Sequence, residues 1–262
     1  MKIISCFILG LGLVFFAGFQ DEAIADEKLP ATLAGLKSGV VAVGTFMPTR
    51  NPRGVFLGTG FVVGNGSLVA TNAHVLPKSL DAAHREEMAI FVRRSGKSEM
   101  AYVKQVAIDS VHDVAILKLS GSGRLPPLKL GVVGHVQEGR LYAFTGYPIG
   151  MVLGLYPVTH RGIVSAITPM AIPQLSTRQL NPKMIKRLRH PYNVFQLDAT
   201  AYPGNSGSPL YDVESGEVVG IINKVFVKES KEAVLSNPSG ITYAIPINHL
   251  QDLLKTLKAK PD

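Results

Sequence analysis

The sequence predicts an all-β protein made of two β units in tandem and finished by a C-terminal helix. Three observations carry that prediction. From Val40 onward, short apolar runs rich in β-branched residues alternate with Gly, Asn, Pro and Ser punctuation, the spacing of a barrel or sandwich. Gly64-Asn65-Gly66 stands between two such runs, and Asn-Gly in that setting is a strong hairpin signal. Gly121-Ser122-Gly123 and Pro126-Pro127 then interrupt the pattern and separate a first set of runs from a second.

The first set places strands at Val40–Phe46, Gly60–Val63, Ser67–Thr71, Met88–Arg93, Ala101–Ile108 and Val114–Leu119. The second places them at Leu141–Thr145, Met151–Val158, Gly162–Ile167, Val194–Leu197, Gly207–Tyr211, Glu217–Val227 and Ile241–Ile245. The two units divide as residues 26–135 and 136–262, with no internal sequence repeat. Leu250, Leu253, Leu254 and Leu257 recur at three- and four-residue spacing and predict an amphipathic helix over Asn248–Lys258. Asn181 as cap and Pro182 as first helical residue open a second candidate helix with Met184, Ile185 and Leu188 as its stripe. It lies in a basic insertion holding Arg178, Lys183, Lys186, Arg187 and Arg189, read as a solvated surface loop, with a basic rim beside an active site as the sharper alternative.

Composition narrows the classes. The chain has 262 residues and a formal charge of +8, with 46% hydrophobic and 18% charged residues, which excludes a disordered chain and a coiled coil. With 26 Gly and 17 Pro it is too rich in turns for long bundles. The single cysteine, Cys6, excludes an intrachain disulfide and a cysteine-built zinc site. Aromatic residues are 7% and no nucleic-acid motif is present, so no nucleic-acid partner is expected and the positive charge reads as mild steering. Lys2, the apolar run Ile3–Phe19 and the triplet Ala23-Ile24-Ala25 have the layout of a secretory signal over residues 1–25, with cleavage after Ala25. The mature chain is then expected outside the cytoplasm, periplasmic or secreted, with no stable membrane insertion.

Three islands carry chemistry. His74 closes Ala70-Thr71-Asn72-Ala73-His74-Val75, Asp113 opens the apolar strand Asp113-Val114-Ala115-Ile116-Leu117, and Ser206 sits in Tyr202-Pro203-Gly204-Asn205-Ser206-Gly207-Ser208-Pro209. A serine hydroxyl needs a base to take its proton as it attacks a carbonyl, and an imidazole titrates in the right range. A carboxylate on the far ring nitrogen holds the useful tautomer and stabilises the imidazolium. His74, Asp113 and Ser206 are the candidates for those roles, and the glycines beside Ser206 let the N–H groups of Gly204 and Ser206 converge on a developing oxyanion. The order His, Asp, Ser and the presence of Ser208 where Gly-x-Ser-x-Gly needs its last glycine argue against an α/β-hydrolase.

On these strings, with Gly58-Thr59-Gly60-Phe61-Val62-Val63, Arg161-Gly162-Ile163-Val164-Ser165-Ala166 and Gly240-Ile241-Thr242-Tyr243-Ala244-Ile245-Pro246, the chain resembles the chymotrypsin-fold (trypsin-like) serine peptidases over residues 38–254. Within them it is most similar to the HtrA-like (Deg) branch. The resemblance implies two six-stranded antiparallel β-barrels, with His74 and Asp113 from the first and Ser206 from the second. It implies an oxyanion hole on Gly204 and Ser206 and a primary specificity pocket on Thr200, Ala201, Ile222, Asn223 and Lys224. The implied activity is that of an endopeptidase on polypeptide substrates with no cofactor, and His84, His112, His135, His160, His190 and His249 show no metal-ligand spacing.

Departures sharpen the expectation. The sequence stops at Asp262 with no PDZ domain, so regulation through such a domain is not expected. Asn205 replaces the aspartate that trypsin-like zymogens pair with a new N-terminus, and Ser208 replaces the second glycine of Gly-Gly-Pro. The same Gly-Asn-Ser-Gly-Ser-Pro string resembles bacterial glutamyl endopeptidases, but those place a histidine where this chain has Ile222, which points to cleavage after small or medium apolar residues. The alternative class is a latent or inactive protease-fold binding or chaperone module, in which the turn at Gly204 has dismantled the oxyanion hole.

Overall fold

The computed structural model describes residues 21–94, 97–148, 155–170, 191–223 and 240–259. The expected signal core, the basic helix at Asn181, residues 151–154 and Lys224 lie outside them. Helix α1 (Asp21–Leu36) precedes β1 (Val40–Phe46), and it runs across the expected cleavage position after Ala25. Strands β2 (Gly54–Val63), β3 (Leu68–Thr71), β4 (Glu87–Arg94), β5 (Lys97–Asp109) and β6 (Val114–Leu119) complete a first unit. Strands β7 (Leu141–Gly146), β8 (Val158–Pro169), β9 (Asn193–Asp198), β10 (Pro209–Asp212), β11 (Val218–Asn223) and β12 (Ile241–Pro246) form a second, followed by helix α2 (Asn248–Lys258).

Each unit is a closed barrel, in the orders β1-β2-β3-β6-β5-β4 and β7-β8-β9-β12-β11-β10. The two orders are the same topology, although no sequence repeat marks it. Closure removes every sheet edge, so neither barrel offers a strand for aggregation.

The apolar runs are longer than simple inside–outside alternation requires because several strands bury both faces. In β1, Val41 and Val43 point into the first barrel with Val62, Val69, Ile90 and Leu117. Val40 and Ala42 point the other way, into a layer shared with Phe61, Ala70 and Ile116 of the first barrel and Tyr147, Tyr211 and Ile221 of the second. The second barrel has its own interior of Tyr142, Phe144, Phe195, Leu197, Leu210 and Ile222. A strand packed on two sides reads as a continuous hydrophobic run. The same shared layer takes Leu250 of α2, whose other contacts are with β5, β6 and β12, so the helix spans both units.

One element corrects the sequence reading. Of the strand expected over Met151–Val158, residues 151–154 lie outside the described residues and Leu155–Pro157 are outside any strand; the strand expected over Gly162–Ile167 is longer, β8 running unbroken from Val158 to Pro169. Its first half pairs with β7 and its second half with β9, with a register shift between Val164 and Ala166. A bulge of that kind bends the strand, letting one long element serve two neighbours around the barrel wall. Among the described residues no helix is long and apolar enough to cross a membrane.

Candidate active site

His74 lies in a single 3-10 turn, Ala73–Val75, directly after β3. Asn72 stays extended and Ala73 N–H donates to the Asp113 carbonyl at 3.1 Å, so the turn is tied to the start of β6 before any side chain is considered. The Asn72 amide donates to the same carbonyl at 3.0 Å. Asp113 itself has φ of +58°, a left-handed conformation that aspartate tolerates better than most residues.

The Asp113 carboxylate is 9% exposed and receives three donors. His74 N–H reaches Oδ1 at 2.9 Å, and the His74 ring nitrogen Nδ1 stands 2.6 Å from Oδ2. The third donor crosses from the other barrel: Asn223 Nδ2 reaches Oδ2 at 2.7 Å. A carboxylate only accepts, so the ring proton belongs on Nδ1, and Nε2 is left with a free lone pair. The His74 side chain remains 32% exposed, which keeps that nitrogen reachable.

Ser206 is held by its backbone against the first barrel. Thr59 N–H in β2 donates to the Ser206 carbonyl at 2.8 Å, and Gly207 N–H donates to Ile222 O at 2.9 Å. Ile222 in turn precedes Asn223, so the serine loop and the donor to Asp113 are adjacent along one strand. Gly207 has φ of +88°, and a Cβ there would overlap the Thr59 carbonyl oxygen, so only glycine permits this approach of the two barrels. The hydrogen-bonded set at the cleft joins His74, Asp113 and Asn223; among the described residues no hydrogen bond joins Ser206 Oγ to His74. The two segments are close nonetheless: a Cβ on Gly58 would lie 2.7 Å from Val75, next to His74, and 2.9 Å from the Ser206 carbonyl.

The turn ahead of Ser206 has a defined type. Asn205 N–H donates to Tyr202 O at 3.0 Å, proline fixes φ near −65° at Pro203, and Gly204 has φ of +99°. Negative φ followed by positive φ is a type II turn, whose central peptide faces opposite to that of type I. The Gly204 carbonyl accepts the Thr59 hydroxyl at 2.7 Å.

The residues expected to line the specificity pocket occupy varied positions. Ala201 and Ile222 belong to the apolar interior of the second barrel, and Thr200 is half-buried at its rim. Asn223, 1% exposed, turns its amide to Asp113. Sequence reasoning missed that role and that of Thr59, because both depend on contacts between residues more than 100 positions apart. His160 is pressed on Phe144 at 5.0 Å, and burial pushes its imidazole below its ordinary range. Among the described residues no cluster of three or more His, Cys, Asp and Glu side chains could hold a metal ion.

Known proteins are similar in sequence to this chain. The family model for the trypsin-like peptidase domain matches residues 58–221. A probable periplasmic serine endoprotease DegP-like from Pseudomonas savastanoi pv. phaseolicola is 34% identical over 251 residues, 91% of this chain and 45% of that protein. The putative serine protease HhoA of Synechocystis is 30% identical, over 81% of this chain and 46% of that protein. A probable periplasmic serine endoprotease DegP-like from Halomonas elongata is 30% identical, over 77% of this chain and 35% of that protein. The chain spans less than half the length of each of these relatives.

Proposed function

Because the chain belongs to the trypsin-like peptidase family, we propose that it is an exported serine endopeptidase that cleaves polypeptides through an acyl-enzyme. Ser206 Oγ attacks the scissile carbonyl carbon while His74 Nε2 takes its proton, and the N–H groups of Gly204 and Ser206 receive the oxyanion. The tetrahedral species collapses with loss of the amine, which leaves carrying the proton from His74. Water then attacks the acyl carbon by the same route in reverse and frees Ser206. Asp113 keeps the ring proton on Nδ1 throughout and stays ionised.

The observation that carries this reading is the capture of His74 by Asp113, through backbone N–H and ring together, at 2.9 and 2.6 Å. It leaves the Nε2 lone pair unused on a half-buried ring, which is what a general base for Ser206 requires. Catalytic hydrogen bonds of free enzymes commonly tighten only when substrate arrives, so the Ser206 to His74 contact is expected to close in the complex. An exported location is supported by the signal-like layout of residues 1–25 and by relatives named as periplasmic. Thr200, Ala201 and the apolar Ile222 suit a small or medium apolar side chain before the cut, as the resemblance places them.

A fluorophosphonate probe tests the proposal. Covalent mass on Ser206 in the wild type, none in Ser206→Ala, and a peptide-library profile led by Ala, Val or Leu before the cut are expected. Absence of both labelling and hydrolysis overturns the enzymatic reading; a profile led by Glu, Lys or Arg overturns the specificity alone.

A further inference from the structure

Thr59, in the middle of β2, is fully buried and yet makes no hydrogen bond to Asp113 or His74. Three of its four hydrogen bonds cross the seam between the barrels. Its hydroxyl donates to the Gly204 carbonyl at 2.7 Å and accepts from Tyr147 N–H, just beyond β7, at 2.9 Å. Its backbone N–H donates to the Ser206 carbonyl at 2.8 Å. Its carbonyl accepts the hydroxyl of Thr71, three residues before His74, at 2.7 Å. A hydroxyl has one proton, and both a carbonyl and an N–H face this one. The N–H can only donate and the carbonyl can only accept, so the rotor has a single satisfied orientation.

The consequence falls on the serine loop. Thr59 grips the carbonyls of residues 204 and 206, and between them lies Asn205, itself fully buried. The peptide planes after Gly204 and after Ser206 are thereby fixed. The Ser206 N–H lies between the two held planes, and the Gly204 N–H is one residue back from the first. Without the hydroxyl, the half-buried Gly204 carbonyl and the buried Tyr147 N–H both lose this partner, a cost that the loop relieves by turning that carbonyl elsewhere. Once the plane after Gly204 is released, glycine's wide φ range lets the Pro203–Gly204 peptide flip. The flip converts the type II turn to type I and turns the Gly204 N–H to the opposite side.

We infer that Thr59 is a positioning residue for the oxyanion hole, holding from the first barrel the serine-loop peptides that the second barrel supplies. This rests on the peptidase reading above. The substitution pair Thr59→Ser and Thr59→Ala isolates the hydroxyl, since the two variants lose the same methyl group. Measurements are kcat and KM on a peptide substrate, normalised to active sites counted with a fluorophosphonate, together with melting temperature.

The expected result is near wild-type kcat for Thr59→Ser and a kcat lower by about 10-fold or more per active site for Thr59→Ala, with KM changed little. That is smaller than the roughly 100- to 1000-fold cost of deleting an oxyanion donor itself, because the N–H groups are still present. Equal kcat per active site in the two variants overturns the inference while the peptidase reading stands. If Thr59→Ala does not fold but Thr59→Ser does, Thr59→Cys, whose thiol is a poor donor, takes its place under the same criterion. A wild type that neither hydrolyses peptides nor reacts with the probe removes the peptidase reading, and this inference with it.

Discussion

Among the described residues three imidazoles lean on aspartates through Nδ1 at nearly the same distance: 2.6 Å for His74 on Asp113, 2.5 Å for His112 on Asp109 and 2.7 Å for His84 on Asp81. In all three the other carboxylate oxygen takes the backbone N–H of the same histidine. The contacts differ in what surrounds them. Asp81 and Asp109 reach a histidine three residues ahead, within one turn, whereas Asp113 and His74 are 39 residues apart and are brought together by the pairing of β3 with β6. Of the three aspartates, Asp113 is the one that takes a donor from the second barrel, Asn223. An Asp–His contact by itself is a common local motif; burial, a donor from the second barrel and a serine loop across the seam make this one a candidate machine.

Substitution separates the buried pair from its local look-alikes. Asp113→Asn is expected to lower kcat/KM on a peptide by about 1,000- to 10,000-fold, since an amide no longer fixes the ring proton on Nδ1. Asp109→Asn, the same chemical change in the turn next door, is expected to leave hydrolysis at the wild-type rate. Asn223→Leu comes next: removing a hydrogen bond to a charged group is expected to cost about 10-fold in kcat while KM holds. Similar losses in the Asp109 and Asp113 variants would erase the difference between the two pairs.

The Asp109–His112 pair sets acid stability instead. His112 stacks on His249 of α2 at 3.8 Å, and Tyr192 meets both rings edge-on. Burial, aided by the charge of His112, pushes His249 down to about 4, against smaller opposite pulls from Asp109 and Asp252. Partial burial works to raise Asp109, but hydrogen bonds from the His112 ring and from backbone N–H groups prevail and hold it at about 2. Lys255 completes the local charges through its pair with Asp252.

Between the ordinary histidine value near 6.5 and the folded value near 4, the unfolded chain binds more protons than the folded one. Stability is therefore full above about pH 6.5 and declines as pH falls to about 4, by on the order of 2 kcal/mol for a partly solvated ring. The Asp109 contribution is present above about pH 4 and is lost as pH falls through about 2. Urea unfolding at pH 7, 5.5 and 4 checks this, and His249→Phe, which keeps the stack and removes the proton, is expected to flatten that part of the curve. The smallest effect belongs to Asp81→Asn: the His84 ring holds this carboxyl below its usual range, but on a fully exposed turn. Its melting temperature is expected to match the wild type.

What is legible in the sequence follows from the range of the interactions involved. The limits of β1, β6 and α2 match the apolar pattern residue for residue, because double-sided burial and a leucine stripe are written locally. The first half of β2, partly exposed from Gly54 to Leu57, lacks that pattern and gives no strand signal. Helix α1 starts inside the signal-like segment, and β8 reads as the shorter Gly162–Ile167 because its bulge and two partners leave no local mark. His74, Asp113 and Ser206 stand out by their strings, and the capture of His74 by Asp113 is visible in the fold. The contacts of Asn223 and Thr59 leave no such trace, since the amide answers to Asp113 from 110 residues away and the hydroxyl to Gly204 from 145.

The dependence of Ser206 on the buried Asp113–His74 pair is read most directly from the rate at which a fluorophosphonate modifies the wild type, Asp113→Asn and Asp109→Asn, followed by intact mass at one pH. Wild-type labelling is expected of the Asp109 variant and labelling slower by about 1,000-fold or more of the Asp113 variant, with all three folded. Equal rates in the two variants, or modification at a residue other than Ser206, would contradict that dependence.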